Sequence, residues 1–186
     1  MENVTISKND SRAADIRGRT FTQVLFESCD FTEANAIGSR FIDCRMKGCN
    51  LSLVKIGGCR FQNCEFEDCK LVGVNFTRCD PMFLSFKFKN CRIDTCNFSE
   101  MALKRTIFHR CTIRDTHFSH AKLEEADFMG SDLTASVFHQ TDLSKANFLE
   151  ATNYSINPMV NKLKGAKFSK FDALALLDHF DIILEN

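Results

Sequence analysis

Large apolar residues recur at every fifth position along most of the chain. Stepping in fives from Ile16 meets Phe21, Phe26, Phe31, Ala36, Phe41, Met46, Leu51, Ile56, Phe61, Phe66, Leu71 and Phe76, and only Ala36 is small. The next step lands on Pro81 and fails. Two residues later the series resumes at Phe83 and runs through Phe88, Ile93, Phe98, Leu103, Phe108, Ile113, Phe118, Leu123, Phe128, Leu133, Phe138 and Leu143 to Phe148 without a miss. A helix places apolar residues three and four apart, and a half-buried strand places them two apart. A sustained period of five fits neither and marks a repeat architecture.

The flanking positions are also patterned. Small side chains dominate the position two before the central residue, among them Cys29, Cys44, Cys64, Ala121, Ala126, Ser131 and Thr141. One before it is often Asp or Asn, as at Asp30, Asn50, Asn97, Asp127 and Asn147. Gly18, Gly38, Gly48, Gly58, Gly73 and Gly130 lie two after it, where a tight turn would fall.

The clearest copies are Ala126-Asp127-Phe128, Ser131-Asp132-Leu133, Thr141-Asp142-Leu143 and Ala146-Asn147-Phe148. In these the chain resembles the pentapeptide repeat proteins, whose motif is Ala-(Asp/Asn)-(Leu/Phe)-x-x. The resemblance covers residues 14–150, some 27 repeats. It implies an all-β solenoid: a right-handed quadrilateral β-helix with four pentapeptides per coil, the central residue and the one two before it pointing inward. The second block supports four per coil, because Phe alternates there with Ile or Leu. Residues 20 apart then stack, Phe88, Phe108, Phe128 and Phe148 in one column and Phe98, Phe118 and Phe138 in another. The expected rod has nearly seven coils and, at a strand spacing of about 4.8 Å, a length of about 33 Å.

The ten cysteines (29, 44, 49, 59, 64, 69, 79, 91, 96 and 111) all take the small inward position. Their nearest spacing is five, unlike zinc-ligand spacing. They read as buried fillers. Pairs such as Cys44/Cys64 and Cys91/Cys111 stack on adjacent coils, but parallel side chains hold their Cβ atoms about 4.8 Å apart, too far for a disulfide. Reduced thiols are expected.

Three segments follow: a lead-in over 1–13, the β-helix over 14–150 with a register slip at 79–82, and a loop with a C-terminal helix over 151–186. Pro81 cannot donate to a ladder, so the slip predicts a kink or bulge. Leu163 and Phe168 keep the register for a degenerate last turn. Ser169 is the expected cap of a short α-helix, and Phe171, Leu174, Leu177 and Phe180 form its apolar stripe. Capping the rod is one role for this stripe; with Ile182, Ile183 and Leu184 it also offers a homodimer surface.

Composition narrows the function. Lys+Arg and Asp+Glu are 24 each, which argues against a strongly basic nucleic-acid binder. No apolar run approaches a membrane span, and the N-terminus carries no secretory pattern, so a cytoplasmic location is expected. A filled interior leaves no substrate cavity, and there is no phosphate loop or nucleophile motif; a non-enzymatic protein with no cofactor and no metal is expected. His117, His120 and His139 fall on one outer wall as solvated positions.

The neutral total conceals an asymmetry. Residues 84–114 carry seven basic and two acidic side chains, whereas 115–150 carry two basic and seven acidic: Asp115, Glu124, Glu125, Asp127, Asp132, Asp142 and Glu150. One branch of the family, the Qnr, MfpA and microcin-immunity proteins, binds DNA gyrase. This chain is similar to that branch in repeat extent and in the segment from Ser169 to Ile183, and its Asn157-Pro158 loop is most like the microcin-immunity type. The resemblance implies a partner in DNA gyrase or topoisomerase IV, protected from a poison partly through the seven acids as a DNA-like surface. The alternative is a general interaction scaffold using a basic wall at Lys104, Arg105, Arg110 and Arg114.

Overall fold

A computed structural model describes residues 1–8, 14–180 and 182. The chain is a four-sided β-solenoid whose neighbouring rungs pair in parallel, most of them 20 residues apart. Each pentapeptide supplies a short extended stretch and a corner. The corner residue, two after the centre, takes positive φ at Gln23, Asp43, Gly58, Gly73, Asn90 and most of their counterparts, the backbone a type II turn requires.

The first wall carries Ile6, Phe26, Met46, Phe66, Phe88, Phe108, Phe128, Phe148 and Phe168. Its strands Thr5–Ser7, Leu25–Glu27, Arg45–Lys47, Cys64–Glu67, Phe86–Lys89 and Ile107–His109 form one sheet, and single bridges continue to Asn147–Phe148 and Lys167–Phe168. Nine rungs make about eight turns, more than the sequence repeat suggests. The ladder starts early because Val4 and Ile6 stand 20 residues before Val24 and Phe26, while stepping back in fives from Ile16 lands on Ser11. The second wall carries Lys70–Val72, Arg92–Asp94 and Thr112–Arg114. The third is held by single bridges such as Asn97 to His117. The fourth carries Thr20–Thr22, Arg40–Ile42 and Arg60–Gln62.

The interior follows the sequence pattern. Phe88, Phe108, Phe128, Phe148 and Phe168 stack with centroid separations of 5.2, 4.9, 5.0 and 5.0 Å. The third-wall column Phe98, Phe118 and Phe138 meets them edge-on, with Phe108 and Phe118 at 5.8 Å and 84°. Both geometries are favourable for aromatic quadrupoles. All ten cysteines are buried, and none is in a disulfide. They are more than filler: the Cys64 and Cys69 thiols donate to the carbonyls of Phe41 and Met46, the central residues one coil back, at 3.2 Å. Ser131 and Thr141 make the same bond to Phe108 and Phe118. The slot therefore takes a small side chain, and where that side chain carries a donor it also ties one coil to the one before, whereas Ala121 and Ala126 fill the same position without one.

Three expectations change. Phe83 is not in the core; it is 66% exposed. The chain leaves the fourth wall after Asp80, where Pro81 has no N–H for a ladder. Phe86 takes the small-residue position, pairs in register with Cys64, and fills the missing rung with its ring 5.5 Å from Phe61 and 5.3 Å from Phe76. Secondly, Ser169 caps no helix. Its hydroxyl accepts the Glu150 N–H, binding it to the preceding coil. Thirdly, the terminal element, Asp172–His179, is a 3-10 helix rather than an α-helix, with no side-chain cap at Phe171. Ile183 and Leu184 of the expected dimer tail lie outside the described residues.

Candidate partner interface

The outward side chains form ladders, because positions 20 apart face the same way one coil above another. Opposite charges on neighbouring coils then pair. Glu65 is held by Arg45 at 2.8 Å and Lys89 at 2.7 Å. The Lys89 hydrogen bond, followed by that of Arg45, overcomes burial and keeps this carboxyl below the usual range.

The same ladders engage four of the seven acidic residues. Glu125 accepts Arg105 at 2.9 Å, with Lys104 at 3.5 Å. Asp127 meets His109 at 2.7 Å. Asp132 meets Arg114 at 2.8 Å; burial would raise this carboxyl, but hydrogen bonds from Thr134, Asn153 and Arg114 drive it well below the usual range. Asp142 meets Lys162 at 3.2 Å. Asp115, Glu124 and Glu150 have no ion pair among the described residues, and one Glu124 carboxylate oxygen is buried without a hydrogen bond.

The seven do not share a face. Glu124, Glu125 and Asp142 lie on the fourth wall, Asp127 and Glu150 on the first, and Asp115 and Asp132 on the second. The basic group divides likewise: Lys104 and Arg105 on the fourth wall, Arg110 at a corner of the first, Arg114 on the second. The pairing was open to sequence reasoning, since Arg105/Glu125 and Asp142/Lys162 are 20 residues apart and Arg114/Asp132 are 18 apart.

His117, His120 and His139 do share the third wall, with the rings of His120 and His139 6.0 Å apart. His179 approaches it from the terminal helix, 3.3 Å from the Ser155 hydroxyl. Among the described residues, no group of three or more His, Cys, Asp or Glu could hold a metal ion. No helix is long and apolar enough to cross a membrane.

Exposed apolar side chains collect at the C-terminal end of the rod. Phe171 is 80% exposed, and Leu174 and Phe180 are also exposed, while Leu177 is half-buried. Met159, Val160 and Ile182 are exposed beside them in sequence, residues that the helical stripe alone does not include.

A family model described as "Pentapeptide repeat region" matches residues 19–98 and 82–157. No curated protein sequence matches. Among solved structures, a trypsin-treated variant of QnrB1, a plasmid-mediated fluoroquinolone resistance protein, superposes with a TM-score of 0.68 at 16% identity over 99% of each chain. A second trypsin-treated QnrB1 variant gives 0.51 at 18% identity, again over 99% of each chain. HetL, a pentapeptide repeat protein involved in heterocyst differentiation regulation from the cyanobacterium Nostoc sp. strain PCC 7120, gives 0.61 at 17% identity over 89% of this chain and 83% of that one.

Proposed function

This chain belongs to the pentapeptide repeat family, and from that premise we propose that it is a non-catalytic cytoplasmic protein that binds DNA gyrase or topoisomerase IV and shields it from a poison. The observation that carries this reading is end-to-end likeness of fold to a fluoroquinolone resistance protein, over 99% of both chains. The exposed apolar end built on Phe171, Leu174 and Phe180 supports a homodimer. Two copies joined there would set the region of the seven acids on either side of the centre.

The ion-pair ladders shape the mechanism. Glu125, Asp127, Asp132 and Asp142 already have cationic or imidazole partners. Docking on a basic surface would then draw on Asp115, Glu124 and Glu150 and on re-pairing of the others, so charge would steer association more than it sets affinity. The same pairing favours the second reading, a general scaffold for another protein partner.

A gyrase cleavage assay with a quinolone or a peptide poison separates the two. Fewer poison-stabilised DNA breaks in the presence of purified protein support the topoisomerase reading. Unchanged cleavage and unchanged supercoiling at a several-fold molar excess overturn it and leave the scaffold.

A further inference from the structure

The register slip leaves an opening in the rod. From Asp80 to Ser85 the chain departs from the fourth wall, and no main-chain hydrogen bond joins the stretch Thr77–Pro81 to the stretch Ser99–Ala102. Elsewhere these positions are bonded: Glu100 N–H to Ser119 and Lys122 N–H to Met101, both at 2.9 Å. At the opening, the Arg78 and Ala102 N–H groups and the Cys79 and Ser99 carbonyls lack main-chain partners. Between the two lips lies a cavity of about 660 Å³, within the range of ligand clefts, about 300–1,000 Å³.

Its chemistry is that of a peptide slot. The floor is apolar, with Phe76, Leu84 and Met101. Met101 and Cys79, which also lines it, are the most exposed residues of the core, at 9% each. The rim is polar and nearly neutral. Arg78 and Glu100 supply one charge of each sign, and neither has an ion pair among the described residues. A polyanion such as a nucleic-acid backbone would meet as much repulsion as attraction there. An uncharged extended backbone would meet donors and acceptors on both lips, with room for apolar side chains beneath.

We propose that this opening docks an extended, uncharged peptide segment of a partner protein, which adds a rung to the interrupted ladder by β-strand addition. The proposal is independent of the topoisomerase reading, since any partner with such a segment could use the slot.

The test pans a phage-displayed random heptapeptide library against the full chain, then measures the strongest selected peptide by fluorescence anisotropy, plain and with alternate amides N-methylated. Ser99→Trp and Thr77→Trp each place a large ring on one lip. The expected result is saturable binding, weakened about tenfold or more by N-methylation and by both substitutions, with thermal unfolding of the variants unchanged. Failure to enrich any peptide overturns the proposal. So does equal affinity for the N-methylated form, or equal affinity in both tryptophan variants.

Discussion

The rings of Phe108 and Phe128, one coil apart, lie 4.9 Å apart and within 2° of parallel. Each also meets Phe118 edge-on, at 5.8 and 5.9 Å. The interior is thus a lattice of alternating stacked and perpendicular rings, and each ring contacts both its own column and the opposite one. Truncating one ring leaves a cavity that a neighbouring coil cannot close, because ladder spacing fixes the rise of the rod.

Phe128→Ala is therefore expected to cost about 3–5 kcal/mol. Phe83→Ala, in the same five-residue register but exposed, should fall within about 0.5 kcal/mol of the parent. Urea denaturation of the two variants checks both. A large loss at Phe83 would restore that residue to the core.

Ala36 is the one small residue among the central positions of the first block. An apolar void of about 20 Å³ lies beside it, lined by Ile16, Phe31, Phe41, Met46, Leu51 and Ile56 among others. Ala36→Val should fill part of this space and stabilise the protein by about 1 kcal/mol, read as a raised denaturation midpoint with an unchanged slope.

How the chain announces its fold is clearest at positions like these. The period of five, the inward small residue and the columns 20 apart all follow from one constraint: a narrow square interior accepts two side chains per wall. Phe83 misled because periodicity alone counts any apolar residue in register. The discriminating signal was Phe86, a large ring where every coil nearby has a small one, as at Cys44 and Cys64. Ile6 was hidden by Ser11, whereas Leu163 and Phe168 kept the register of the last coil through the irregular stretch in which Tyr154 and Ile156 are buried. The candidate interface was harder to read, because exposure of a charge depends on the residue one coil away rather than on its own neighbours. Asp132 is an example: besides its own neighbour Thr134, Arg114 and Asn153 on the adjoining coils hold its carboxylate.

Gly73 and Gly18 separate backbone strain from crowding. Both have positive φ, +68° and +64°. A Cβ at Gly73 would stand 2.7 Å from Leu53 Cδ2, whereas at Gly18 nothing lies within 4 Å. Gly18→Ala should cost about 1–2 kcal/mol from the left-handed backbone alone. Gly73→Ala should cost more, and adding Leu53→Ala should recover the excess. A double-mutant cycle by thermal unfolding measures it.

The Glu65 ladder makes stability depend on pH. A carboxyl depressed in the folded state stabilises above its unfolded value, 4.5 for Glu65, and that contribution is lost as pH falls through the lower folded value. Stability should thus decline below about pH 4.5. Glu65→Gln should flatten part of this decline, and Glu33→Gln, at an exposed corner, should not. Unfolding midpoints from pH 3 to pH 7 at low salt test the difference, and added salt should shrink it.

The thiol slots make the strongest demand on the closed interior. Burial raises Cys59 to about 11 and Cys96 to about 12, so neither thiolate forms near neutral pH, and thiolate is the reactive species. At pH 8 a disulfide reagent such as Ellman's should leave nine thiols of the native chain untouched, all but Cys79 at the opening, and find all ten in denaturant. Reaction of those nine in the native protein should proceed no faster than its unfolding. Within one slot, Cys64→Ser keeps a donor for the Phe41 carbonyl, and Cys64→Ala forfeits a bond worth about 1 kcal/mol. Cys64→Leu overpacks the coil and should cost about 1–3 kcal/mol. Prompt labelling of any of those nine in the folded chain would mean that the coils part on the timescale of the reaction, and the rod would then have to be treated as opening locally rather than as a single closed core.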